Sequence, residues 1–123
     1  MRIALAIAML LHGAAHLVGF AESWQISTTE RMPFKTTVLN GHLDLGLEGI
    51  RLAGVLWLLA ALAFGLVAGG AVMNAEWWAS AAMPTAVASL VLSLVWWPES
   101  RVGVAVNALL IATLVVGRRL GFI

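Results

Sequence analysis

His12 and His16 stand four residues apart inside an apolar run, the spacing that puts two side chains one turn apart on one helix face. Two imidazoles so placed can relay a proton, because imidazole exchanges protons near neutral pH, or can share a metal ion. The metal reading needs more ligands than the pair supplies. The zinc motif of this spacing carries a glutamate directly after the first histidine, whereas Gly13 stands there, and His42 or Glu48 would have to fold inward to complete a site. Haem is disfavoured as well, since two histidines on one face cannot take opposite axial positions of the same iron. Neither metal nor cofactor is therefore expected.

Other polar residues recur at helical spacing. Asp44, Glu48 and Arg51 fall at i, i+4 and i+7; Thr85, Ser89 and Ser93 form a second stripe; Glu99, Gly103 and Asn107 form a third. Within hydrocarbon such groups are costly, about 2.5–3.5 kcal/mol for a central charge, so their placement carries the functional information. At the helical rise, His16 lies about 12 Å from Trp24, Arg51 about 10 Å from Asp44 and Asn107 about 12 Å from Glu99. If the chain threads a membrane four times, these three distances are measured from the same side. The expected result is a polar cup at one level, opening toward the long connection after the first span and closing near the midplane, lined by His16, Glu48, Arg51 and Asn107, with His12 and Ser93 beside them. Glu48, one turn before Arg51, is expected to pair with it and lower its insertion cost.

The composition requires that membrane. Of 123 residues, 62% are apolar and only 11% charged, too little charge to cover a water-exposed particle. Cysteine is absent, which removes disulfides, iron–sulfur clusters and thiolate zinc sites; tyrosine is absent too, and with it the phenol as proton donor. A net charge of +1 offers no basic field for nucleic acid.

Four apolar runs are long enough to cross a bilayer. With a turn of flanking residues each, they predict spans over 3–24, 44–70, 76–97 and 99–118 in a single transmembrane domain, 1–123, of the all-α class, an up-and-down bundle of four helices. The first run shares features with a signal peptide, but His12 and His16 interrupt its apolar stretch, and a retained helix is expected. Asp44 is a candidate N-cap for the second helix, and Pro84 should kink the third or free a carbonyl. The long connection 25–43 carries Asn40-Gly41 between alternating residues, which reads as a small hairpin cap or as a loop with one helical turn. Trp24, Trp77-Trp78 and Trp96-Trp97 mark membrane boundaries, while Trp57 falls mid-span as core packing. Ala61, Gly65 and Gly69 repeat every four residues, which suggests close packing within the bundle or a homodimer seam.

Lysine and arginine number three on the side of the termini (Arg2, Arg118, Arg119) and four on the other (Arg31, Lys35, Arg51, Arg101). Setting aside Arg51 and Arg101 as ion-paired leaves three against two, which places the termini in the cytoplasm. So even a balance also allows dual insertion and an antiparallel dimer.

The stretch His12-Gly13-Ala14-Ala15-His16-Leu17-Val18-Gly19-Phe20, with Gly49-Ile50-Arg51, Gly54-Val55-Leu56-Trp57, Trp97-Pro98, Arg101-Val102-Gly103 and Asn107, resembles a family of small four-helix bacterial integral membrane proteins of unassigned activity, some labelled transporter permeases. The resemblance spans the chain. It implies the fold and a bacterial plasma membrane, and carries no catalytic residue across. The resulting expectation is a multi-pass protein that binds or transports a small molecule or ion in a cavity formed by His12, His16, Glu48, Arg51, Ser93 and Asn107, alone, as a homodimer or as an accessory subunit of a larger membrane complex. The alternatives are a membrane enzyme acting on a lipid-like substrate with a histidine base, and a structural subunit whose polar groups satisfy one another.

Overall fold

The computed structural model describes residues 1–123 and contains four helices: α1 (Arg2–Ser23), α2 (Gly46–Val72), α3 (Trp78–Val95) and α4 (Arg101–Arg119). At 1.5 Å per residue they are about 33, 40, 27 and 28 Å long, against a hydrocarbon core of about 30 Å. All four are apolar enough to cross a membrane. Leu10, Leu11, Leu52, Leu59, Leu62, Leu66 and Leu109 are 54–68% exposed, so the bundle presents large apolar side chains on its outer surface, as a membrane-spanning protein does. The chain is an all-helical, four-span integral membrane bundle.

Consecutive helices pack side by side, α1 most extensively on α2, while α4 meets α1 only slightly where the ring closes. The tight seam depends on glycine. A Cβ added at Gly19 would lie 2.5 Å from the Trp57 ring, so the bare backbone of α1 lets the indole lie flush against it. Of the Ala61-Gly65-Gly69 stripe, Ala61 lies against α1, its carbonyl 3.2 Å from where a Gly13 Cβ would stand, whereas added Cβ atoms at Gly65 and Gly69 meet nothing within 4 Å. Gly65 and Gly69 therefore take no part in a seam within the bundle.

The interior has two apolar clusters with a polar layer between them. The larger fills the half nearer the termini and includes Met9, Phe64, Ala68, Trp78, Ala82 and Leu114. The smaller joins Val38, Ile50, Ala53, Trp57 and Trp96 under the long connection. That connection forms the hairpin. β1 (Thr37–Val38) pairs antiparallel with β2 (Leu43–Asp44), and the turn between them holds Leu39, Asn40 and Gly41 at positive φ. Buried Val38 plugs the bundle end, and the Leu39 N–H donates to Val95 O at 2.8 Å.

Because Asp44 belongs to β2, α2 starts at Gly46 and not at Asp44 itself. The Asp44 carboxylate still accepts the Gly46 N–H at 2.9 Å, and this bond, with a second from Thr36, holds its pKa below the ordinary aspartate value. Pro84 lies inside α3 without ending it. Trp24, Trp77 and Trp97 are 41–47% exposed at helix ends, as boundary residues should be. Trp78 and Trp96 instead turn inward and are buried.

Gly19→Ala is expected to lower stability in detergent by about 1–3 kcal/mol, the range for overpacking a tight contact. Gly65→Ala should change it by no more than about 0.5 kcal/mol. Denaturant unfolding in mixed micelles, followed by tryptophan emission, checks the contrast.

Candidate functional site

The polar layer is built by three helices. His12 and His16 project from α1, Ser89 and Ser93 from α3 and Asn107 from α4, and each is buried. The Asn107 carboxamide is the hub: its Nδ2 donates to Gly103 O at 2.9 Å, Ser89 Oγ at 2.8 Å and, at longer range, Ser93 Oγ at 3.4 Å. A backbone carbonyl can only accept, so the orientation of the amide is fixed and Oδ1 faces His12. His12 Nε2, 3.1 Å away, must therefore carry a proton and donate it to Oδ1. His16 is set in the same way. Its Nδ1–H donates to His12 O at 2.8 Å, which leaves Nε2 to accept the Ser89 hydroxyl at 2.6 Å.

The two rings stack edge to face with centroids 4.6 Å apart, and both contact Phe64 of the larger apolar cluster. His16 also lies 5.2 Å from the Trp57 ring. Gly103 permits this closeness between α3 and α4, since a Cβ there would stand 2.9 Å from Ser93 Oγ.

Beside the network, in the gap between α1 and α4, lies a cavity of about 600 Å³. His12, His16, Trp57 and Ser93 line its inner part; Gly103, Ser100 and Glu99 line the α4 side; Thr29–Met32 reaches over its end. Two buried atoms among the lining residues have no hydrogen-bond partner, Trp57 Nε1 and Glu99 Oε2. With its Nε2–H committed to Asn107, His12 presents a lone pair at Nδ1 that bonds to nothing in the protein. Above the cavity, Lys35 ties three elements together. Its backbone N–H donates to Glu22 Oε1 at 3.1 Å, and its ammonium forms an ion pair with Glu99.

Four of the six residues expected to form the cup are brought together: His12, His16, Ser93 and Asn107. Glu48 and Arg51 are not, and the expected ion pair between them does not form. The inward face of α2 is Ile50, Ala53, Gly54 and Trp57, which turns Glu48 and Arg51 outward. Arg51 instead lies over the Trp24 ring, 5.6 Å from its centroid, while Trp24 Nε1 donates to Arg51 O at 3.0 Å. This cation–π contact belongs to the membrane boundary. His42 is exposed in the hairpin turn, and no group of three or more His, Cys, Asp or Glu side chains converges anywhere in the fold.

Trp57, core packing by its mid-span position, also lines the cavity, and Ser89, Glu22 and Lys35 join the site beyond the residues that spacing singles out. Ser89 had a signal, its register with Ser93. Lys35 had none, because its partners lie 13 and 64 residues away. No protein-family model, curated protein or solved structure matches the chain.

Asn107→Leu strands the His12 donor and removes the link between three helices, and should cost about 1–3 kcal/mol of stability. Ser93→Ala, which loses only the 3.4 Å contact, should cost roughly 0.5 kcal/mol or less. Comparison of the two unfolding midpoints in one detergent provides the measurement.

Proposed function

We propose that the protein is a small-molecule-binding protein of a bacterial plasma membrane and that the gap between α1 and α4 is its binding site. The observation that carries this reading is Trp57, which lines the cavity and whose buried Nε1–H has no acceptor in the protein. A buried donor left unpaired costs about 1–3 kcal/mol, a cost that a bound acceptor would remove. The cavity volume falls in the ordinary range for small-ligand sites, about 300–1,000 Å³.

The bacterial setting rests on the resemblance of the His12–Phe20 and Trp97–Asn107 stretches to the small four-helix family. A membrane enzyme with a histidine base would need Arg51 to hold an anionic substrate, and Arg51 lies outside the cavity against Trp24. Binding therefore has more support than catalysis.

Ala15 lines the cavity from an exposed position, so Ala15→Trp should fill it without disturbing the fold. Native mass spectrometry of the chain ejected directly from host membranes is expected to show a non-covalent adduct on the natural sequence and none on Ala15→Trp. A bare chain in both samples, or the same adduct in both, overturns the reading.

We further propose cytoplasmic termini; Arg51 and Arg101 form no ion pair, so the proposal stands on the arginines at the chain ends alone, Arg2, Arg118 and Arg119. The chain has no cysteine, so single cysteines report topology without background. Met73→Cys, in the connection on the side of the termini, should be shielded from an impermeant maleimide added to intact cells, and Glu30→Cys should react. The reverse pattern would invert the protein, and labelling of both would indicate dual insertion.

A further inference from the structure

The cavity differs on its two open sides. Toward the bilayer its rim is Ala15, Val18 and Val102, all exposed, at the seam where α1 and α4 touch least. Toward water it is crossed by Thr29–Met32, a turn closed on itself by the Met32 N–H donating to Thr29 Oγ1 at 3.0 Å. The Lys35 strap to Glu22 and Glu99 holds this loop in place. An apolar lateral gap beside a fastened aqueous end suits a ligand that comes out of the membrane.

The polar atoms available to that ligand define its head. Trp57 Nε1–H requires an acceptor, whereas His12 Nδ1 and Glu99 Oε2 require donors. A hydroxyl both accepts and donates. Deep in the cavity, beside His12 and Trp57, no cation is present to neutralise a phosphate or carboxylate: Arg31 lines the loop end, Lys35 is paired with Glu99, and Arg51 is outside. A second ammonium is equally poorly served at that depth, since Lys35 already balances Glu99 and Glu30 lies in the loop at the aqueous end. Burying an unpaired charge here would be far more costly than burying a hydroxyl.

We infer that the ligand is a neutral, hydroxyl-headed lipid that enters sideways between α1 and α4, its head meeting Trp57 Nε1 and His12 Nδ1 and its chain lying out past Val18 and Val102. The inference rests on the cavity being a binding site and adds the chemical class of the occupant and its route. A head with two hydroxyls, as in a monoacylglycerol, also supplies a donor for Glu99 Oε2.

The test keeps the tail constant and varies the head. The protein in phosphatidylcholine nanodiscs is given equal small amounts of 1-oleoylglycerol, oleic acid and oleylamine, and bound lipid is read by native mass spectrometry. The expected result is a 1-oleoylglycerol adduct at least about tenfold above either charged analogue, the discrimination expected when a site would otherwise bury an unpaired charge. Trp57→Phe keeps the ring and removes the donor, and should weaken the adduct by about tenfold. Val102→Trp, which closes the lateral gap from an exposed position, should abolish it even if the Trp57 variant folds poorly. A preference for oleic acid or oleylamine, or an adduct indifferent to Val102→Trp, overturns the inference. If none of the three lipids binds while Ala15→Trp still removes an adduct from native membranes, the lipid class is wrong and the binding site stands. If Ala15→Trp removes nothing, both fail.

Discussion

A carboxamide placed in hydrocarbon must find partners for two N–H groups and an oxygen, and Asn107 finds them on three helices. Its donors go to its own helix through Gly103 O and to α3 through Ser89 and Ser93, and its oxygen takes the His12 proton from α1. Since lipid offers no competing hydrogen bonds, a slip of any of these helices by one residue would strand a polar group. The amide thus fixes the register of α1, α3 and α4 together. It also fixes the chemistry of both histidines, because a carbonyl acceptor at each end of the chain of bonds allows only one proton arrangement. His12 Nδ1 is left as a lone pair beside the cavity as a consequence of that arrangement.

The fourth helix of the set, α2, is positioned by shape instead. Gly19 brings Trp57 flush against α1, and Trp57 packs edge-on against Trp96 with centroids 5.4 Å apart. Packing this close on one side of α1 leaves the other side loosely met, and the gap between α1 and α4 follows from it. The hairpin completes the asymmetry by plugging one end with Val38 and spanning the gap with the Lys35 strap. The tight α1–α2 seam, the loosely met α1–α4 seam and the fastened end together give the cavity its lateral character.

Much of this is readable from spacing alone, within limits that are physical. Hydropathy and length identify four membrane helices, since a run of apolar residues in lipid has only the helix available to it. Asn40-Gly41 marks the hairpin turn, and the stripe Glu99-Gly103-Asn107 marks the face of α4 that meets the interior. Spacing states which residues share a face and does not state which face turns inward. Glu48 and Arg51 do share one side of α2, but the buried side is chosen by Ile50, Ala53, Gly54 and Trp57, whose small and flat surfaces let α1 approach. The same ambiguity applies to Ala61-Gly65-Gly69, of which only Ala61 meets α1. Charge at a helix end is another blind spot. Glu22 has the sequence signature of a solvated terminus, yet it is only 1% exposed because a loop residue folds back over it. Pairings formed across the long connection leave no periodic trace.

A polar layer that fixes helix register and a polar layer that binds something are often treated as rival explanations, but here they are carried by different atoms. Asn107, Ser89, His16 and the Nε2 side of His12 satisfy one another completely, and nothing about them calls for a ligand. Trp57 Nε1, Glu99 Oε2 and His12 Nδ1 lie outside that circuit, on residues that line the cavity. For packing alone, Trp57 could surrender its nitrogen to an apolar ring of similar shape and relieve the bundle of an unpaired donor. The self-satisfied part holds three helices in register, and by doing so it holds the unsatisfied part at a fixed depth beside the gap between α1 and α4.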